Sequence, residues 1–181
     1  VYVIPGDEIR RAGHTSVQEA LRMVPGFLVG HWQSATWDAV ARGFTSAFNN
    51  NLLVMIDGVN VYDLFSPEGV VWHLQEIDVD DIERIEVMRG PASALWGQNA
   101  VNGAVNVVMK RTADTLGWKV TSVIGDTESR AGVRYGARME GGSFRVWSLV
   151  TDHDPLVDRT TGEPIDYERW TLGKIGFRGD W

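Results

Sequence analysis

The sequence predicts an α+β protein in two parts: a small mixed β-sheet with short helices over residues 1–112, then antiparallel β-hairpins over 113–181. Three observations point there. Before residue 112, short β-branched and apolar runs are interrupted by brief, capped helical segments. After it the helical signals stop. Residues 129–140 then alternate between two faces with period two, as a strand does.

Composition narrows the function classes. The 181 residues carry 17 Lys and Arg against 24 Asp and Glu, a formal charge of -7. A nucleic-acid binder that coats a duplex is ordinarily basic, so none is expected. Without cysteine there is no disulfide scaffold, thiolate zinc site or cysteine nucleophile. No run approaches the length of a membrane-crossing helix. The chain opens directly on strand-forming residues, with no basic-then-apolar leader, and is expected to be processed or part of a longer polypeptide.

The elements follow in order. Val1-Tyr2-Val3-Ile4 favours a strand. Pro5-Gly6-Asp7-Glu8 starts a helical turn that Gly13 stops. Ser16 and Glu19 form a capping box ahead of Val17, Ala20, Leu21 and Val24, which share one helix face until Pro25-Gly26. Phe27 to Val29 and Asp38 to Phe44 read as extended, and Asn49-Asn50-Asn51 as a turn. Leu52 to Ile56 is a buried strand, Asp57-Gly58 a tight turn and Val59 to Tyr62 its return. Pro67 to Gln75 is irregular. A helical turn over 79–82 precedes the strand Glu83 to Arg89. Gly90-Pro91 opens a short helix through Leu95, and Gly103 to Lys110 is the last strand of this half.

Four strands are expected beyond it, at 116–125, 129–140, 143–152 and 168–180. They exceed the usual soluble length of about 5–6 residues and approach the roughly 9–11 that cross a membrane in a barrel. Gly141-Gly142 suits a tight turn, whereas 153–167 is a long polar connection; short turns alternating with long loops is a barrel pattern. A soluble antiparallel sheet with one wet face fits the alternation equally well. Four strands cannot close a barrel and leave two open edges. The exposed strands are therefore expected to continue in further sequence, to pack on the first domain, or to self-associate with another copy.

The first half resembles the plug domain of TonB-dependent outer-membrane receptors from Val1 to about Arg111. The resemblance lies in Val3-Ile4-Pro5-Gly6-Asp7-Glu8-Ile9, in Thr15 to Leu21 with Val24-Pro25-Gly26, in Arg42-Gly43-Phe44, and in Leu53 to Val59. It is most specific from Ile82 to Pro91, Ala94 to Gly97 and Asn99 to Val107. Residues 113–181 resemble the family only as generic early barrel strands. The resemblance implies a barrel of about 22 strands with an N-terminal plug. It further implies uptake of a scarce nutrient such as a ferric siderophore, haem or cobalamin, powered through TonB, in the outer membrane of a Gram-negative bacterium. Outer-membrane lipid, the TonB complex and a small nutrient ligand such as a metal chelate are the partners implied. No TonB-box-like segment precedes Val1 and most of the barrel is missing, so no transport is expected of this stretch alone. A non-transporting envelope adhesion module is the alternative.

Site residues follow from both readings. Arg84, Glu86 and Arg89 are candidates for docking the plug to the barrel wall; the competing reading is a solvated strand face. Gly58, Gly90, Gly97 and Gly103 are expected at turns or close backbone contacts. The resemblance makes Trp32, Trp37, Phe48, Tyr62, Phe65 and Trp72 candidate ligand contacts, against core or wall packing. Trp118, Tyr135, Trp147, Trp170 and Trp181 are candidates for an interfacial aromatic belt. His14, His31, His73 and His153 lie far apart in sequence, and neither a metal site nor a cofactor is expected. There is no nucleophile elbow, phosphate loop or calcium loop, so an enzyme is not expected.

Overall fold

The computed structural model describes residues 1–33, 36–41, 51–63, 69–91, 93–96, 99–157, 160–163, 165 and 169–181; at Trp32, Gln33, Ala94 and Leu95 it describes the backbone. The chain divides into two compact units, one formed by Val1–Trp32 with Thr36–Met109, the other carried by Lys110–Trp181.

The first unit is built on a five-stranded sheet. Its strands are β1 (Tyr2–Pro5), β4 (Leu52–Ile56), β5 (Val59–Asn60), β6 (Ile82–Arg89) and β7 (Gly103–Met109), in the order β1-β6-β7-β4-β5. β4 and β7 run parallel, and the other neighbours are antiparallel. A separate ribbon pairs β2 (Phe27–Gln33) with β3 (Thr36–Ala41).

The helices are short because their signals are. In α1 (Gly6–Arg11), Asp7 and Glu8 occupy the first turn and Arg10 and Arg11 the last, both complementing the helix dipole. α2 (Val17–Ala20) gives way to a 3₁₀ turn, Leu21–Met23, before Pro25. Its cap differs from the expected box in one respect. Ser16 Oγ accepts from Glu19 N at 3.3 Å, but the Glu19 carboxylate accepts from the Thr15 N–H at 3.0 Å. α3 (Ser93–Trp96) follows Gly90-Pro91.

The core lies on one face of the sheet. Ile4, Ile85, Val87, Val105 and Val107 project there and meet Ile9, Val17, Leu21 and Val24 from the helical segments and Phe27 and Ala41 from the ribbon. Each fully buried aliphatic side chain of this kind contributes about 1.5–3 kcal/mol. On the opposite face Leu53, Met55, Ala100 and Ala104 form a smaller cluster, with Met88 packed against it.

The second unit is a four-stranded antiparallel meander in the order β11-β10-β9-β8. Its strands are β8 (Gly117–Ile124), β9 (Glu128–Met139), β10 (Gly142–His153) and β11 (Trp170–Asp180). Register sorts the side chains. One face lines up Trp118, Tyr135, Val146 and Phe177, then Val120, Val133, Ser148 and Ile175. The other carries Lys119, Arg130, Arg134, Arg138, Arg145, Lys174 and Arg178. A 3₁₀ turn, Thr112–Thr115, is tied to the basic face. Thr112 Oγ1 lies 2.6 Å from Ser143 Oγ and donates to Asp180 Oδ2 at 3.0 Å; Arg145 Nη1 donates to the Lys110 carbonyl at 3.0 Å.

Some expectations are corrected. The return strand after Asp57-Gly58 covers only Val59–Asn60, and the irregular stretch ends in a 3₁₀ turn, Trp72–Gln75. Trp147 and Trp170 leave the proposed belt: their even spacing from Arg145 and Lys174 places them on the basic face, opposite Trp118 and Tyr135.

Candidate functional site

The polar face of the five-stranded sheet gathers three of the distant sequence motifs. β6 supplies Arg84 and Glu86, two residues apart and therefore on one face. Arg84 Nε donates to Glu86 Oε1 at 2.8 Å and its Nη1 donates to Glu83 Oε1 at 2.7 Å. The hydrogen bond it donates to Glu86, aided by the charges of Glu86 and Glu83, holds the Arg84 guanidinium above its ordinary pKa. Both side chains remain about a third exposed, so the pair is screened by water and available to a partner.

Arg89 does not join them. It stands three positions beyond Glu86, an odd offset that puts it on the opposite face, and it turns to the core side. There its Nη1 donates to the Pro25 carbonyl at 2.9 Å, and its guanidinium lies 5.9 Å from the centre of the Tyr2 ring. Arg89 thus staples the end of β6 to the turn before β2. Of the three docking candidates, Arg84 and Glu86 form a charged pair, and Arg89, itself exposed, braces the turn before β2.

The glycines sit at turns and crossings. Gly58 has φ 77 beside Asp57 at φ 49, the two left-handed residues of the β4–β5 hairpin turn. At Gly103, φ is 142 and a Cβ would lie 2.3 Å from the Met88 carbonyl oxygen, so β7 passes β6 there only without a side chain. Gly90 has φ 138. Gly97 lies outside the described residues.

Among the aromatic candidates, Trp37 is half-buried and stacks on His31. Its ring lies 4.0 Å from that of His31 at 10°, and the Arg22 guanidinium sits 5.5 Å from it. Trp37 and buried Asp38 are neighbours on β3, and burial pushes the Asp38 carboxyl above the ordinary range. Tyr62 is half-buried; the Asp63 N–H donates to the Gly69 carbonyl at 2.7 Å, and a Cβ on Gly69 would meet the Tyr62 ring. Trp72 is 6% exposed within the main cluster, and Gln18 Nε2 donates to its carbonyl. Phe48 and Phe65, and the side chain of Trp32, lie outside the described residues.

Asn106, in the middle of β7, links β6 to the Asp57–Gly58 turn. Its Nδ2 donates to Glu86 Oε2 at 3.2 Å, and its Oδ1 accepts from the Gly58 N–H at 3.0 Å. An asparagine in mid-strand, where this residue type is disfavoured, was the available signal. Among the described residues no three His, Cys, Asp or Glu side chains converge to hold a metal ion.

The chain is similar to known proteins. A ferrioxamine receptor of Yersinia enterocolitica is 29% identical over 167 residues, which is 90% of this chain and 23% of that protein. The vitamin B12 transporter BtuB of Vibrio vulnificus is 30% identical over 179 residues, 94% of this chain and 28% of the relative. The chain thus spans about a quarter of the length of these curated relatives. Among solved structures, the copper transporter OprC superposes with a TM-score of 0.76 at 18% identity, over 99% of this chain and 28% of its own. The model of the TonB-dependent receptor plug domain matches residues 1–104, and the chain belongs to that family.

Proposed function

We propose that this chain is the plug, residues 1–112, and the first wall strands, residues 113–181, of an outer-membrane receptor. The complete receptor takes up a scarce nutrient by TonB-dependent active transport, and the plug gates its barrel. The nutrient is a ferric siderophore, haem, cobalamin or a similar small ligand; the TonB complex and outer-membrane lipid are the other partners. The protein resides in the outer membrane of a Gram-negative bacterium. It is a receptor and gate, not an enzyme.

One observation carries the wall reading. The four-stranded sheet turns Trp118, Val120, Ile175 and Phe177 outward at 65–85% exposure while holding its cations on the other face. Such a face is costly in water and favourable in lipid, and the charged face suits a polar barrel interior. The row Trp118, Tyr135, Phe144 and Phe177 has successive ring centres 4.7, 6.4 and 6.2 Å apart. It lies toward the short β9–β10 turn and supports an interfacial belt.

In this reading the Arg84–Glu86 pair docks the plug on the wall of the complete barrel, and Trp37 and Tyr62 contribute to the ligand surface. The test is uptake by the complete receptor in an otherwise receptor-deficient strain, with and without TonB. Ferric enterobactin, ferrioxamine, haem and cyanocobalamin are supplied one at a time. TonB-dependent accumulation of one of them is expected; accumulation of none, or accumulation independent of TonB, refutes the proposal.

A further inference from the structure

A continuous hydrogen-bonded chain crosses the polar face of the five-stranded sheet. It runs from Arg84 to Glu86 at 2.8 Å, from Glu86 to Asn106 at 3.2 Å, and from Asn106 to the Gly58 N–H at 3.0 Å. Register explains the reach. Asn106 on β7 stands between Glu86 on β6 and Met55 on β4, so one amide spans from β6 to the turn that follows β4.

The two ends of an asparagine amide have opposite polarity. Here the donor end faces a carboxylate and the acceptor end faces a backbone N–H. Flipping the amide would set carbonyl against carboxylate and donor against donor. Each partner therefore fixes the orientation that the other needs.

The far end is anchored as well. The Asp57 N–H donates to the Val107 carbonyl at 2.8 Å, and the Met109 N–H donates to Asp57 Oδ1 at 2.8 Å. The turn thus rests on β7 through its backbone, through Asp57 and through Asn106. Of these three supports, the bond through Asn106 is the one that reaches a charged side chain on β6.

We propose that Asn106 is a positioning residue that couples Glu86 to the Asp57–Gly58 turn, so that a change at the carboxylate is transmitted across β7. The consequence for docking rests on the reading of Arg84–Glu86 given above; the coupling itself does not.

Hydrogen exchange at the Gly58 amide, followed by NMR on this chain in detergent micelles, tests it. Removing the partner in Glu86→Ala frees the Asn106 amide, and Gly58 is expected to exchange about three- to tenfold faster, the worth of one modest hydrogen bond. Glu86→Gln keeps an acceptor and is expected to retain slow exchange. Glu83→Ala, which removes a partner of Arg84 but not of Asn106, is expected to change nothing.

Polarity gives the sharper arm. Asn106→Asp still offers Gly58 an acceptor, yet sets two carboxylates together, so Gly58 exchange is expected to rise. Adding Glu86→Gln to that variant restores a donor, and slow exchange is expected to return. Unchanged Gly58 exchange in Glu86→Ala, or no rescue in the double variant, overturns the proposal. If Glu86→Ala fails to fold, the rescue decides alone. These measurements need no transport, so their failure is distinct from failure of the receptor reading.

Discussion

In the five-stranded sheet Ile4, Ile85, Val87, Val105 and Val107 are at most 1% exposed, and the charged pair Arg84–Glu86 meets water. In the four-stranded sheet the order is reversed. Val120, Ile124 and Ile175 are 78–86% exposed, while Arg130 and Arg145 are buried at 4% and 3%. Both sheets alternate with period two, so each strand divides its side chains between two faces. Alternation therefore says which residues share a face, not which solvent that face meets. Strand length and the accessibility of the large apolar side chains decide the second question.

The largest effect expected is in the first sheet. Ile85→Ala removes a fully buried side chain from the middle of β6 and is expected to cost about 2–5 kcal/mol. Urea unfolding of the chain in detergent micelles measures it. A cost under 1 kcal/mol would mean that the sheet is not packed as a conventional core.

The second sheet is probed by charge. Ile175→Arg on the apolar face is expected to cost about 2–4 kcal/mol in a bilayer, as a cation does on the lipid side of a barrel. It is expected to be nearly neutral if that face meets water. Folding equilibria of the complete barrel in lipid vesicles separate the two outcomes.

A smaller loss is expected from Thr112→Val. Thr112 is fully buried, and its hydroxyl serves Ser143 and Asp180. The substitution leaves polar partners unsatisfied and is expected to cost about 1–3 kcal/mol, read as earlier loss of the β9–β10–β11 signals in the same urea series.

The smallest effect is at Asp38, and it depends on pH. Burial raises its pKa in the folded state, so between the unfolded value of about 3.9 and the folded value the native protein binds more protons. Stability from this group is fully present below the unfolded pKa. It is lost as pH rises through the folded value. Asp38→Asn is expected to flatten that slope and to stabilise the chain at neutral pH, with little gain below pH about 4. Urea midpoints measured from pH 4 to 7 check the sign.

Much of this fold was legible because its signals are local. Asp57-Gly58 forces a two-residue turn wherever it falls between strand-forming runs, and Ser16 caps the helix that follows it. The opposite placement of Arg89 was also legible, since parity along a strand separates it from Glu86. What could not be read is register between distant strands. The parallel pairing of β4 with β7 sets Met55 opposite Asn106, 51 residues later, and no local feature of either segment encodes it. The bridge from Glu86 to Gly58 depends on that pairing, so nothing local to Asn106 reveals it.

The pairing order carries a consequence for how the polypeptide comes into being. Tyr2 finds its neighbour in Val87, and Leu52 finds its own in Gly103, whereas Met139 meets Gly142 across a turn of two residues. Contacts so distant close slowly, and none of them exists until the later segment has been made. The hairpins of the second sheet can assemble as each strand emerges. The five-stranded sheet must wait until β7 has been made.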